Sequence, residues 1–568
     1  MQNPENKKVG TELFSTVHML DPRIADISSK LKYGVEKSGQ ESTTYRLANN
    51  SQGSTSVVSF NYHTPGVASI IDRNMYIRGS VTLSVTAKLG VASEAPLKPG
   101  VNCALAPFPF QQLLSNGSMT INNDSQNFEY DSLLNLVHRM IPHDQLNNWN
   151  SLCPTMADKY ATYQEFASPG DVYDNHPWAG FDKESMYNHP NGCFPITIGA
   201  APGAVGDSVT FDVTFKFCEP LVLPSAAISH HTSSGMGYSG VNTLNFQFNL
   251  NSKCRALRHA IPGEGNGQIP NTGISVKSIN DCEILLRVLS PQVDQAIPAR
   301  AIVPFYNFQR NMTDVSAGAA GSTVTSASVN LNQIPDAVLV CIRRKNAAAY
   351  HPDSCIPIRS VNVQFNNRDG ILASATQEQL YLISRDNGIY QTWSEWSGAA
   401  KLSSTGESVA TAGSYCLFKF GRDITLTDSF LAPGSLGKYN FQVSVVADQL
   451  IPAGYELACV FLNSSFMVSQ NGSTMSYAGA LDATMVEQTS RMPAIPTNQI
   501  DRMVGGSVFG RALSSLKGIA KVLKPLAKPL GKMARRELQE SGDKSLKTVG
   551  NVVQALGLGQ TAGARHFR

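Results

Sequence analysis

The chain has 568 residues, of which 42% are hydrophobic and 16% charged, and its formal net charge is +3. This length is too great for one hydrophobic core and predicts two or three domains, while the hydrophobic share excludes an intrinsically disordered chain. The N-terminus is polar and no run of 18 apolar residues occurs, so we expect neither a secretory signal peptide nor a transmembrane helix.

The ten cysteines are distributed singly along the chain, without a CxxC pair. Their spacing indicates neither a zinc site nor a redox motif, and we expect reduced thiols in a chain made in the cytosol. The sequence therefore predicts no metal and no cofactor. The low charged fraction predicts a surface that other subunits largely cover.

Residues 1–50 show no strong hydrophobic period, and we predict an N-terminal arm that is ordered only by a neighbouring subunit. The first β domain is predicted over 51–223. Within it, apolar and polar residues alternate from 75 to 89, a pattern typical of a long strand with one buried face. A helix is predicted over 131–141, with Asp131 as its N-cap.

Two further alternating strands lie in the middle of the chain. Segments 209–217 and 244–250 both carry apolar residues at every second position, and prolines and glycines separate them. We therefore predict that 209–217 ends the first domain and that 224–241 connects the two domains. Segment 244–250 would then open the second domain, predicted over 242–495.

The second half repeats the order of elements found in the first. A strand that ends in Asn-Asn precedes a helix in both halves, at 120–123 and at 363–367, and the second helix spans about 375–388 before a glycine. This order indicates two copies of one fold. The predicted class is all-β: two tandem eight-stranded antiparallel jelly rolls, short helices in loops and a helical basic C-terminal tail. Immunoglobulin-type sandwiches are the alternative, although their Cys–Trp–Cys core is absent.

Several segments of the chain resemble a known family. They are IIDRNMYIRGSVTLSV, FPFQQLLSNGSMTINNDS, FKFCEPLVLPS, YSGVNTLNFQFNLN, LNQIPDAVLVCIRRK, VNVQFNNRDGILASATQEQLYLISRDNG and LAPGSLGKYNFQVSVVA. In order and spacing, over 50–490, they resemble the double-jelly-roll major capsid proteins of eukaryotic double-stranded DNA viruses, in the polinton-like virus, adintovirus and virophage group.

This resemblance implies a structural protein without enzymatic activity. The implied assembly is a homotrimer, pseudo-hexagonal in outline, that tiles an icosahedral virion shell put together in the host cytoplasm or nucleus. Its implied partners are neighbouring capsomers and the vertex (penton) and minor capsid proteins. A carbohydrate-binding or adhesin-like β protein is the alternative function, with Trp393 and Trp396 as a stacking platform for a sugar; packing in a core or interface is the commoner role of such residues.

A basic tail is predicted over 507–568. It carries 12 Lys and Arg against 3 Asp and Glu, a net charge of +9, so the other 506 residues carry −6. Apolar and basic side chains recur at three- and four-residue spacing on adjacent faces, as in an interfacial amphipathic helix that prolines interrupt. The residues predicted to contact membrane or DNA are Leu516, Lys517, Ile519, Lys521, Leu523, Lys524, Leu526, Lys528, Leu530 and Lys532.

Three interpretations of this tail stay open. It packs against its own or neighbouring subunits inside the shell, it is a membrane-active peptide released during entry, or it binds packaged DNA through phosphate contacts that ignore base sequence.

A linker over 496–506 contains a candidate protease site. Met503, Gly505 and Gly506, followed by Ser507, resemble the (Met/Ile/Leu)-x-Gly-Gly sequence recognised by adenovirus-type viral maturation proteases. Two glycines let a protease approach an extended backbone closely. A flexible hinge is the alternative interpretation of the same residues.

One loop brings together residue types that occur at catalytic sites. His351, Asp353, Ser354 and Cys355 lie within five residues of each other. Catalytic groups meet in space rather than in one loop, so we expect ordinary loop and strand-edge residues here. No catalytic site is predicted.

Overall fold

The strand pairing defines two barrels, each built from two antiparallel sheets. The computed structural model describes residues 16–19, 33–36, 41–51, 54–64, 69–97, 103–142, 145–146, 196–226, 237–259, 263–270, 273–290, 300–351, 353–401, 408–426, 433–470 and 472–478. We number the strands in these ranges in chain order. The first two, β1 (Thr16–Met19) and β2 (Tyr33–Glu36), pair only with each other.

The first barrel extends from Glu41 to Ser290. Its strands are β3 (Glu41–Ala48), β4 (Val57–His63), β5 (Ile70–Ile71), β6 (Tyr76–Lys88), β7 (Cys103–Leu105), β8 (Leu114–Ile121), β9 (Asp124–Phe128), β10 (Ile196–Ile198), β11 (Ser208–Pro220), β12 (Thr243–Leu250), β13 (Leu257–His259) and β14 (Ile274–Ser290). One sheet has the order β10-β11-β6-β14-β3, with β5 beside β14, and the other has the order β4-β12-β8-β9.

The second barrel begins at Arg300. Its strands are β15 (Arg300–Val315), β16 (Thr323–Thr325), β17 (Val329–Gln333), β18 (Ala337–Arg344), β19 (Cys355–Ile356), β20 (Ile358–Phe365), β21 (Arg368–Ile371), β22 (Ala399–Lys401), β23 (Ser408–Ala410), β24 (Cys416–Lys419), β25 (Leu436–Ala447), β26 (Tyr455–Gln470) and β27 (Ser473–Ala478). One sheet has the order β15-β26-β18-β19, with β24 beside β18 and β27 beside β26. The other has the order β16-β25-β20-β21, with β17 beside β25.

Both barrels have the connectivity of a jelly roll. The eight principal strands are β3, β4, β6, β8, β9, β11, β12 and β14 in the first barrel and β15, β17, β18, β20, β21, β24, β25 and β26 in the second. In each set, the first, third, sixth and eighth strands form one sheet and the other four form the second. Two such strand sets in one chain confirm the predicted double jelly roll.

The predicted position of the boundary between the barrels is wrong. Strand β12, expected to open the second domain, lies between β4 and β8, where Phe246 is opposite Phe60 and Met119. Strand β14 lies between β6 and β3, so residues 41–48 of the predicted arm form an edge strand of the first barrel. The change of barrel therefore falls between Ser290 and Arg300. Alternation identifies a half-buried strand but does not say which sheet it joins.

Both predicted helices are present, and each follows a short hairpin. Helix α1 (Tyr130–Arg139) comes after β9, and helix α2 (Gln377–Asn387) comes after β21. The N-cap of α1 is Glu129 rather than Asp131, and it makes no side-chain capping bond. Helix α2 begins with a Thr376 capping box and ends at Gly388, whose φ of 115° suits glycine. A third helix is α3 (Trp393–Trp396).

The Asn-Asn pairs form two-residue hairpin turns at equivalent places in the two barrels. One turn joins β8 to β9 at Asn122, where φ is 55°, and the other joins β20 to β21 at Asn366 and Asn367, where φ is 49° and 68°. Asparagine tolerates positive φ better than other side chains and is favoured in tight hairpins. The repeat in the sequence thus reflects the same turn used twice.

Candidate functional site

One sheet of the second barrel is buried on both faces, and it forms the seam between the barrels. In β26, Leu457, Cys459 and Phe461 pack into the core of the second barrel. The alternate residues Ala458, Val460 and Leu462 pack with the core of the first barrel. Burial on both faces accounts for the continuous apolar runs in β18 and β26, where an outward polar face would otherwise occur.

The first barrel covers this sheet with β9, α1 and the turn before β9. The rings of Phe128 and Phe308 meet edge-to-face at 5.9 Å, and the amide of Gln126 lies 3.6 Å from the sulfur of Met467. Arg343 Nη1 donates to the carbonyl of Ser132 at 2.8 Å. Apolar and polar contacts together therefore fix the orientation of the second barrel against the first.

Asp353 is the centre of a buried polar clamp at the seam. Its carboxylate accepts hydrogen bonds from Arg255 and Arg258 of the first barrel and from Asn135 Nδ2 at 2.8 Å. The Arg258 and Asp353 side chains are only 2% and 9% exposed. Arg258 also donates to the carbonyl of His351. A buried carboxylate between two guanidinium groups specifies one arrangement, since removal of either sign leaves an uncompensated buried charge.

The C-terminal strand β27 binds the hairpin turn of the first barrel. Asn122 Nδ2 donates to Thr474 Oγ1 at 2.7 Å, and the Thr474 amide donates to Asn123 Oδ1 at 2.9 Å. The amide of Gly472 donates to the carbonyl of Gly240 at 3.1 Å. Hence the last described segment of the chain closes back on the first barrel.

Buried ionisable groups lie beside the seam and in the core of the first barrel. Burial and the neighbouring Arg139 lower the pKa of His138 to about 3. Burial raises the pKa of Glu219 to about 7, although the amides of Phe110 and Gln111 donate to its carboxylate. Glu219 thereby holds the segment before β8 against the end of β11.

The structure describes only some of the predicted site residues. Met503, Gly505, Gly506 and Ser507, and all the named tail residues from Leu516 to Lys532, lie outside the described residues, as does the linker 496–506. Trp396 is fully buried and donates to the carbonyl of Tyr415, while Trp393 stacks on it and is 37% exposed. The two indoles therefore pack mainly within the protein.

The seam residues were not identified by the sequence analysis. The sequence pattern predicts an ordinary loop at Asp353 and does not single out Arg255 and Arg258. These arginines lie 98 and 95 residues before Asp353, so no local pattern links them. The local signal for these residues is the presence of two arginines in the short segment CRALRH.

The described ranges contain no group of three or more side chains positioned to hold a metal. None of the helices in those ranges is long and apolar enough to cross a membrane. Of the eight cysteines that the structure describes, none forms a disulfide, and seven are buried.

Two family models match the chain, one for each barrel. The model of the Sputnik virophage major capsid protein first domain matches residues 13–289, and the model of the major capsid protein V20 C-terminal domain matches residues 306–465. The interval between them contains the point at which the strand pairing changes barrel. The family models and the sheets therefore divide the chain in the same place.

Relatives that match most of the chain indicate the same family of folds. A putative capsid protein V20 of Sputnik virophage is 25% identical over 525 residues, which cover 87% of this chain and 85% of that protein. The cryo-EM structure of the Sputnik virophage matches with a TM-score of 0.69 and 24% identity, over 86% of this chain and 97% of that one. The mavirus major capsid protein matches with a TM-score of 0.61 and 17% identity, over 84% and 97%. These structures share the fold.

Proposed function

The chain is a homologue of the virophage major capsid proteins, and from this premise we propose that it is the major capsid protein of a virion, a shell-forming structural protein rather than an enzyme. The observation that carries the proposal is the double jelly roll with a buried seam. In it, the two barrels are held against each other by apolar packing and by the Asp353 clamp. A shell is built from many copies of one such subunit through repeated, symmetric contacts.

We further propose that three copies form a pseudo-hexagonal capsomer, which contacts neighbouring capsomers and the penton and minor capsid proteins. Exposed apolar side chains support self-association. Leu436 and Leu450 are 72% and 64% exposed, and Val91 and Val205 are each 55% exposed. A second copy of the chain that packs on these positions would remove their apolar surface from water.

The oligomeric state of the purified chain tests this proposal. Size-exclusion chromatography with light scattering should give three times the chain mass of 61.2 kDa, and negative-stain microscopy should show particles with six similar lobes. Leu436→Lys with Leu450→Lys should weaken the assembly, while Thr82→Lys, at a half-exposed polar position, serves as the control. A monomer that stays single at micromolar concentration would argue against a capsomer.

For the C-terminal segment, we propose cleavage after Gly506 by a viral maturation protease, which would release a basic tail to act on membrane or packaged DNA. The support is the position of the Gly-Gly sequence between the barrels and the +9 segment. Mass spectrometry of virions should detect a fragment that begins at Ser507, and Gly506→Val should abolish it. Infectious particles with only the full-length chain would contradict this proposal.

A further inference from the structure

The hairpin turn of the first barrel has its binding partner within the same chain. This turn, at Asn122 and Asn123, bonds Thr474 of β27 through both asparagine side chains. In the strand that follows, Gln126 and Phe128 are only 5% and 1% exposed, and both contact the second barrel. The turn and β9 therefore form one side of the seam.

The equivalent turn of the second barrel has no such contact. The amide of Asn366 donates to the seventh principal strand of its barrel, as the amide of Asn122 does, so the two turns are placed alike. Within the part of the chain that the structure describes, the side chains of Asn366 and Asn367 have no hydrogen-bond partner. The first three residues of β21 are exposed. The second barrel thus exposes the same hairpin that the first barrel buries at the seam.

The first barrel also contains an equivalent of the surface that receives the turn. Strand β27 lies beside the end of β26, beyond β18 and across β26 from β15. Strand β5 has the same place in the first barrel, beside the end of β14, beyond β6 and across β14 from β3. We call β3, β5 and residues 283–290 of β14 the receiving strip. Thr82, opposite Ser278, lies outside this strip.

The outward face of the receiving strip is accessible in the part of the chain that the structure describes. Thr44 and Arg46 of β3 are exposed, and Leu285 of β14 is half-buried. Leu285 and Leu462 both lie opposite the first residue of the third principal strand in their barrels. Leu462, which packs with the core of the first barrel, is 3% exposed. A layer over the receiving strip would bury Leu285 in the same way.

We propose that the β20–β21 hairpin of one copy docks on the receiving strip of a second copy, so that the seam within the chain is repeated between chains. This inference rests on the proposed capsomer and identifies two surfaces that meet in it. The surfaces lie on different barrels, and a heterologous contact of this kind can close into a ring. The side chains of Asn366 and Asn367 then bond the strip, as Asn122 and Asn123 bond Thr474.

Site-specific photocrosslinking of the assembled full-length chain tests this contact. A photoreactive benzoylphenylalanine in place of Arg368, the first residue of β21, should give a covalent dimer on irradiation. Mass spectrometry should map the crosslink to residues 41–48 or 283–290. The matched control carries the same probe in place of Asp124, the first residue of β9. Because Asp124 accepts a hydrogen bond from Ser476 of its own chain, the control should crosslink to 473–478 within the chain and give no dimer.

Removal of one side chain of the turn gives a second measurement. Asn367 has a φ of 68°, so Asn367→Gly keeps the backbone without steric cost and removes only the side-chain amide. It should weaken self-association by about threefold to tenfold in light scattering, because hydrogen bonds across the contact are lost. Asn346→Gly, at an exposed turn asparagine of the same barrel with a φ of 55°, is the control and should leave association unchanged.

The possible results separate this inference from the proposed capsomer. A trimer in which the probe at Arg368 gives no dimer, or a dimer crosslinked outside the receiving strip, overturns the inference and leaves the capsomer intact. Equal association of the Asn367→Gly and Asn346→Gly variants also contradicts the inference. A chain that remains monomeric overturns both proposals.

Discussion

Equivalent sheets of the two barrels have opposite surroundings. In the first barrel, the sheet of β6, β11 and β14 buries one face and leaves a polar face, where Thr82 and Thr86 pair with Thr214 and Thr210 through their hydroxyls. In the second barrel, the equivalent sheet of β18 and β26 is buried on both faces. Identical connectivity therefore does not give identical chemistry, because a sheet face becomes apolar only where another layer covers it.

This difference shows which surfaces remain for other subunits. The second barrel buries the outer face of this sheet against the first barrel. The outer face of the equivalent sheet in the first barrel stays hydrophilic. In a symmetric pair of barrels, the outer sheet faces would be either both solvated or both apolar. Neither arrangement gives the two barrels a defined relative orientation.

The largest effect is expected at the polar clamp. Asp353→Ala leaves Arg255 and Arg258 buried without their carboxylate and should lower the free energy of unfolding by about 3–5 kcal/mol. The exposed pair of Asp212 and Lys277 on the first barrel is the comparison, and Asp212→Ala should cost at most about 1 kcal/mol. Urea denaturation followed by intrinsic fluorescence measures both. Equal costs would mean that the clamp does not stabilise the seam.

Truncating a side chain in the third principal strand of each barrel should reveal the difference between the two sheets. Leu339 in β18 is 1% exposed and faces the first barrel, so Leu339→Ala should cost about 2–5 kcal/mol through lost burial and a residual cavity. Thr82 in β6 lies on the polar face, and Thr82→Ala should cost about 1 kcal/mol or less. The same denaturation experiment applies, and similar values for both variants would contradict a buried outer face in the second barrel.

The core of the first barrel should show a pH dependence that Glu219 causes. Its folded pKa of about 7 lies above the ordinary value of 4.5, so the folded state binds the proton more tightly. The stabilising contribution is then full below pH 4.5 and is lost as the pH rises to 7, by on the order of 3 kcal/mol. Glu219→Gln should flatten this slope in thermal unfolding, whereas Glu264→Gln, at an exposed position, should leave it unchanged.

The smallest expected effect is the difference in lost stability between alanine substitutions in the two Asn-Asn turns. Asn366→Ala places alanine at positive φ and should cost about 1 kcal/mol. Asn122→Ala has the same backbone cost and also removes the bonds to Thr474 Oγ1 and the Asn242 amide, which adds about 1 kcal/mol or more. Equal destabilisation of the two variants would show that the contact with β27 contributes little.

Local features of this fold could be predicted from the sequence, and long-range ones could not. The alternation in β6, the glycine after α2 and the Asn-Asn turns each depend on a few neighbouring residues. The assignment of β12 and β14 to the first barrel depends on partners up to 249 residues away, as Ser290 opposite Glu41 shows. The clamp at Asp353 has the same origin, since Arg255 belongs to the other barrel.

The position of the last principal strand in each barrel has a consequence for synthesis on the ribosome. Strand β14 is inserted between β6 and β3, and β26 between β15 and β18, so neither barrel can close before its eighth principal strand has emerged. Until then, two partly formed sheets expose unpaired edges in the nascent chain, which makes this stage vulnerable to aggregation. Host chaperones that shield such edges would therefore act first when about half of the chain has been translated.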